Sequence, residues 1–172
     1  MPPDHFEVLG LPRRFTLESA LVERNYLARS RELHPDFHQL AASSQQRASL
    51  EMTAVLNEAY STLRDPFKRA EYLLALEGGP SASEHKQMPP DFLEEMLELR
   101  MQIEELREGG NPDALTTMER QLRERRGKLV EQLASRFAEH ERKPDSELLV
   151  QIRQLLNTAK YIQGQLRDLR AD

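Results

Sequence analysis

The clearest periodicity lies in the second half of the chain. Phe92, Met96, Leu99, Ile103 and Leu106 step by 4, 3, 4 and 3 residues, which lines them up on one side of a helix as a coiled-coil-like seam. Leu148, Ile152, Leu155, Ala159, Ile162, Leu166 and Leu169 repeat that alternation to the end of the chain. Between the two, Leu115, Met118, Leu122, Leu129, Leu133 and Phe137 mark a long middle helix predicted to run to about Arg142, just before Lys143-Pro144. The run Gly109-Gly110-Asn111-Pro112 reads as a tight turn. Three amphipathic helices joined by two short, proline-marked connections predict a three-helix bundle.

The first half is less regular. Asp4 is placed to cap a short helix through Leu9, stopped by Gly10 and Pro12. Thr16 is placed to cap a second helix from Leu17 to about Leu33, with Val22, Tyr26, Ser30 and Leu33 at helical spacing. His34-Pro35-Asp36 ends it, because proline disfavours helical geometry in the residue before it and has no N–H to donate. A third helix is predicted from about Ser44 to Leu63, with Leu50, Val55 or Leu56, Ala59 and Leu63 inward, and Asp65-Pro66 closing it. A short fourth runs from Phe67 to Leu76. Gly78-Gly79-Pro80-Ser81-Ala82-Ser83 followed by Met88-Pro89-Pro90 cannot sustain helix, so the chain divides into 1–77, a linker 78–89, and 90–172.

Composition supports this picture and removes several function classes. Leu numbers 27 against 5 Val and 3 Ile, and unbranched apolar side chains favour helix over strand. The absence of cysteine excludes a disulfide framework, a thiolate metal site, a cysteine-ligated iron-sulfur centre and a thiol nucleophile. A net charge of -5 and a pI near 5.6 argue against a dedicated nucleic-acid surface. No apolar run approaches the roughly 18 residues of a membrane span and no basic-then-apolar leader opens the chain, so a soluble, cytoplasmic protein without membrane contact is expected. Gly-rich phosphate loops, nucleophile elbows and zinc-protease motifs are missing, and no enzyme chemistry or cofactor is expected. His34 and His38 have the spacing of two metal ligands on one helix, but Pro35 between them argues against a metal site.

One tripeptide stands apart by its position. His34-Pro35-Asp36 follows an amphipathic helix carrying Arg24, Arg29 and Arg31, and precedes a second helix able to pair antiparallel with the first. A plain proline turn explains Pro35, and Asp36 as a turn former. It does not explain Phe6-Glu7-Val8-Leu9-Gly10-Leu11 in the first helix, Tyr26 eight residues before His34, or Leu56-Asn57-Glu58-Ala59-Tyr60-Ser61-Thr62-Leu63 in the third. With these residues the first half resembles the J-domain, the four-helix module that stimulates ATP hydrolysis by 70-kDa heat-shock chaperones. The resemblance implies that His34, Pro35 and Asp36, with Arg24, Arg29 and Arg31, contact the chaperone. Ser30 and Arg29 stand where J-domains often place a leucine, so the pairing of the second and third helices is expected to be less apolar.

The run from Asp65 to Leu74, a glycine break, and then Phe92-Leu93-Glu94-Glu95-Met96-Leu97-Glu98-Leu99-Arg100 resemble, more narrowly, the HscB type of J-protein, the co-chaperone of iron-sulfur cluster assembly. That resemblance implies an all-α, L-shaped arrangement of an N-terminal four-helix J-domain and a C-terminal three-helix scaffold-binding bundle. It also implies an HscA-type chaperone and an IscU-type cluster scaffold as partners. Beside the core seam, Leu93, Leu97 and Met101 form a second stripe at i, i+4 and i+8, flanked by Glu94 and Glu98. It reads either as part of a wide core face or as an exposed partner groove; the resemblance favours the groove, with Leu93, Leu97, Glu98 and Met101 as scaffold contacts. On the last helix the family often has an aromatic or large apolar contact near the position of Asn157, and the resemblance does not extend to that contact. A J-protein for another client, or a helical adaptor whose tripeptide is only a turn, are the competing readings.

Overall fold

Capping chemistry sets where the helices begin and end. In the computed structural model, which describes residues 3–33 and 43–170, α1 (His5–Leu9) opens on Asp4, whose carboxylate accepts the Glu7 N–H while the Glu7 side chain accepts the Asp4 N–H. Gly10, at φ 62°, closes it: the N–H groups of Gly10 and Leu11 turn back to the carbonyls of Glu7 and Phe6. The other elements are α2 (Ser19–Glu32), α3 (Ser43–Arg64), α4 (Pro66–Leu76), α5 (Pro90–Glu108), α6 (Pro112–Arg142) and α7 (Ser146–Asp168). Every regular element among the described residues is helical. Packing divides the chain within α4, between Leu73 and Leu74.

The first unit buries Phe6 and Leu9 from α1 against Leu56, Ala59 and Leu63 of α3, with Leu11, Phe15, Val22, Ala70 and Leu73 closing round them. Val22 is the one buried residue of α2. Its pairing with α3 is accordingly polar and aromatic: the Tyr26 and Tyr60 rings stack at 4.1 Å, and the Tyr26 hydroxyl lies 2.9 Å from Asn57 Oδ1. Asn25 Nδ2 donates to the Leu9 carbonyl at 2.9 Å and ties α2 to α1. At the α3–α4 junction the Asp65 carboxylate accepts the N–H groups of Phe67 and Lys68 and so caps α4, with Pro66 in the first turn. Beneath it Arg69 is buried, its guanidinium donating to the Leu63 carbonyl at 2.7 Å and lying 5.1 Å from the centre of the Phe15 ring.

Two expectations for this unit fail. α2 starts at Ser19 behind Glu18, which makes no side-chain cap bond, so Thr16 does not cap it. Leu50 is 66% exposed, because it precedes buried Leu56 by six residues and therefore points about 120° away from it around the helix. Of Val55 and Leu56, Leu56 is the inward residue.

In the second unit α5 presents Met96 and Ile103 to the core and α6 presents Leu122, Leu129, Leu133 and Phe137. On α7 the buried apolar positions are Leu149, Ile152, Leu156, Ala159, Ile162 and Leu166, so the seam takes Leu149 and Leu156 where spacing alone favoured Leu148 and Leu155. The reason lies outside the helix. Residues 78–89 lie along the Leu149 flank of α7, where buried Arg153 donates from Nε to the Pro80 carbonyl at 3.1 Å and Asn157 Nδ2 to the His85 carbonyl at 2.8 Å. This cover draws the buried face of α7 toward Leu149, Arg153, Leu156 and Asn157.

Candidate functional site

Pro90 starts α5 at the position where a missing N–H costs nothing, and Asp91 in the first turn suits the positive end of the helix. From there the helix has two apolar sides. Met96 and Ile103 are 3% and 0% exposed, whereas Leu93, Leu97 and Met101 are 41%, 61% and 62% exposed. The second stripe is therefore not a wider core face. The structure gathers Leu93, Leu97 and Met101 along one solvent-facing line, with exposed Glu94 and Glu98 on its far side.

Two braces hold α5 at this angle. On the α6 side, Arg125 forks onto Glu95, with Nη2 3.0 Å from Oε2 and Nη1 bonded to Oε1. The hydrogen bonds from Arg125 hold the Glu95 carboxyl below its ordinary range, with partial burial opposing and the guanidinium charge assisting. On the α7 side, Gln165 Nε2 donates to the Met96 carbonyl at 3.1 Å. Phe92 sits between the two, its ring 5.9 Å from the Arg125 guanidinium and edge-on to Tyr161 at 5.5 Å. The stripe is thus mounted on a fixed rod, which limits the entropy a partner must remove on docking.

Asn157 is turned away from this surface. It is 8% exposed and committed to the His85 carbonyl, so at this position α7 offers no contact beside the stripe.

The residues assigned to chaperone contact fall into three groups. His34, Pro35 and Asp36 lie outside the described residues, as does His38. Arg24 and Arg31 are seven residues apart, share one exposed face of α2 and flank Leu27, which is 46% exposed, in a shallow groove lined also by Ala20, Glu23 and Ala28. Arg29 is exposed too but points elsewhere: its guanidinium lies over Gly10, 3.0 Å from where a Cβ would stand on that glycine. The structure brings together two of the three arginines and separates the third. Leu27 was missed in the sequence, although its spacing of three from Arg24 and four from Arg31 carried the signal.

Among the described residues no group of three or more His, Asp or Glu side chains is placed to hold a metal ion. None of the described helices is long and apolar enough to cross a membrane.

The chain is similar to known proteins along its whole length. A family model described as DnaJ domain matches residues 4–72, and one described as HSCB C-terminal oligomerisation domain matches residues 88–170. A co-chaperone protein HscB homolog of Burkholderia multivorans is 37% identical over 132 residues, 76% of this chain and 75% of that protein. The homolog of Burkholderia mallei is 40% identical over 128 residues, 73% of each chain. Among solved structures, chaperone HscB from Vibrio cholerae superposes with a TM-score of 0.83 at 27% identity, covering 98% of this chain and 96% of that one. Human co-chaperone protein HscB shares the fold at a TM-score of 0.83 and 23% identity, covering 98% and 81%.

Proposed function

Because the chain belongs to the HscB family of J-domain co-chaperones, we propose that it stimulates the ATPase of an HscA-type 70-kDa chaperone and delivers an IscU-type iron-sulfur scaffold to it. ATP is hydrolysed by the chaperone and the cluster is carried by the scaffold; this cysteine-free chain contributes recognition only. His34, Pro35 and Asp36 are assigned to the trigger of hydrolysis, Arg24, Leu27 and Arg31 to docking on an acidic chaperone surface, and Leu93, Leu97, Met101 and Glu98 to the scaffold. The cytoplasm is the compartment where these partners meet.

The observation that carries this reading is the stripe of exposed Leu93, Leu97 and Met101 on a braced helix, in the same chain as a J-unit. A co-chaperone that holds client and chaperone at once turns the second encounter into an intramolecular one, which raises its effective concentration. The expected result is that His34→Gln keeps the wild-type circular dichroism spectrum and abolishes stimulation of the chaperone's ATPase. Full stimulation by that variant refutes the assignment. Stimulation by the wild type without any binding of the scaffold would instead indicate a different client.

A further inference from the structure

The α6–α7 flank of the second unit carries an open groove in which α5 and its stripe take no part. Its cavity measures about 490 Å³, is lined at depth by buried Leu166 and half-buried Val130, and has none of its lining residues on α5. Gly127 lines it too, from the interior of α6, where glycine is the poorest helix former after proline. A Cβ at that position would meet nothing within 4 Å, so packing inside the chain does not call for a glycine there. Close approach of something from outside the chain does.

The walls of the groove say what that is. Arg123 of α6 and Arg170, just past α7, both hold Glu119. Arg123 donates from Nη2 and Nε at 2.8 and 3.3 Å, Arg170 from the same two atoms at 2.7 and 2.9 Å, and all four bonds end on Oε1. One carboxylate oxygen offers about two lone pairs, so the donors exceed what it can accept. Neither guanidinium has the fork onto two oxygens that makes such pairs strong, and a second carboxylate would supply it. The bonds from Arg123, then those from Arg170, hold the Glu119 carboxyl below its ordinary range and keep it ionised at neutral pH. Arg126, three residues beyond Arg123, also lines the groove. Basic residues outnumber acidic ones five to two over 119–128 and three to one over 160–170, in a chain of net charge -5. Exposed charges are largely screened beyond about 10 Å at 0.1 M salt, so the groove is locally positive while a long polyanion would run onto the acidic remainder. A short segment with closely spaced carboxylates fits it.

We infer that this groove receives a short acidic segment of a partner protein, whose carboxylates take Arg123 and Arg170 over from Glu119 and meet Arg126. The test is fluorescence anisotropy of a capped, fluorescein-labelled dodecapeptide, alanine with glutamate at every third or fourth position, titrated with the full chain at low salt. Replacing Arg126 and Arg170 together by alanine is expected to keep the circular dichroism spectrum and weaken binding about tenfold or more. Arg24→Glu with Arg31→Glu, on the other basic face, is expected to weaken it less than about threefold. Glu119→Gln removes the competing carboxylate and is expected to tighten binding about threefold or more, whereas Glu124→Gln, the same loss of charge outside the groove, changes it less than about twofold. Gly127→Leu is expected to raise the urea midpoint and yet weaken binding about fivefold, because a good helix former then fills the groove. Four outcomes overturn the inference: no measurable binding, loss of binding with the α2 pair but not with the groove pair, equal gains from Glu119→Gln and Glu124→Gln, or wild-type affinity in Gly127→Leu. Displacement of the labelled peptide by less inorganic pyrophosphate than unlabelled peptide also overturns it, and makes the groove a phosphate site.

Discussion

Replacing Leu97 by alanine separates what α5 does for folding from what it does for a partner. Full burial of a leucine side chain is worth about 1.5–3 kcal/mol. Leu97 is 61% exposed, so the folded chain has realised only about two-fifths of that, roughly 0.6–1.2 kcal/mol. The remaining three-fifths, roughly 0.9–1.8 kcal/mol, are available only when a partner covers the side chain. At 1.4 kcal/mol per tenfold, that corresponds to a complex about 5- to 20-fold weaker. Ile103, on the opposite side of α5 and 0% exposed, is the control: truncation to alanine there leaves a cavity and costs about 2–5 kcal/mol of stability. Urea unfolding and calorimetric titration with the scaffold, run on both variants, should show opposite orders of damage. Leu97→Ala binding with wild-type affinity, or losing as much stability as Ile103→Ala, would refute the reasoning.

Two further outcomes follow from the first unit. Asp4→Ala is expected to cost about 1 kcal/mol by removing the cap of α1, as read from thermal unfolding. Burial raises the Asp4 carboxyl, but bonds from the Glu7 N–H and Arg13 outweigh it and hold the group below its ordinary range. A depressed carboxyl stabilises fully above the unfolded value of about 3.9 and loses that contribution as the pH falls through the folded value, so the gap between wild type and Asp4→Ala should close below about pH 4. On α2, Arg24→Glu with Arg31→Glu is expected to weaken chaperone docking at low salt by roughly tenfold, converging with wild type at high salt, whereas Arg29→Glu changes it little. Equal effects from all three charges would show that the face holding Leu27 is not the docking face.

How much of this was readable from sequence depends on whether a local rule or a tertiary contact decided each feature. Asp4 before α1, Gly10 after Leu9, and Asp65-Pro66 between α3 and α4 are local capping signals, and those boundaries appear where the chemistry placed them. Thr16 carried a similar signal, but α2 begins two residues later than Leu17, and the cap was lost. The choice between Leu148 and Leu149, or Leu155 and Leu156, was not local at all. Periodicity tolerates either member of such a pair, and the decision came from residues 78–89, brought onto that flank by Arg153 and Asn157. The same contact explains Asn157, which in sequence was only a missing apolar residue and in the fold is a buried donor. Arg24, Arg29 and Arg31 looked alike as a basic run, and only helical rotation splits them into a pair and an outlier.

The surplus of leucine carries the argument furthest. A three-helix bundle needs one seam from α5, and Met96 and Ile103, buried to 3% and 0%, with Phe92, Leu99 and Leu106 beside them, supply it. Leu93, Leu97 and Met101 add apolar surface that stays in water, on a helix whose orientation is fixed independently by Arg125–Glu95 and Gln165. Replacing those three residues by glutamine or lysine would keep helix propensity and improve solubility, so helix formation does not account for them, and their partial burial uses only part of their apolar surface. A chain without a single cysteine cannot hold a cluster through thiolates, and under the function proposed above its part is to recognise the protein that does. A rigid, acid-bordered apolar stripe is suited to that task because its ordering cost has been met in folding, before the partner arrives.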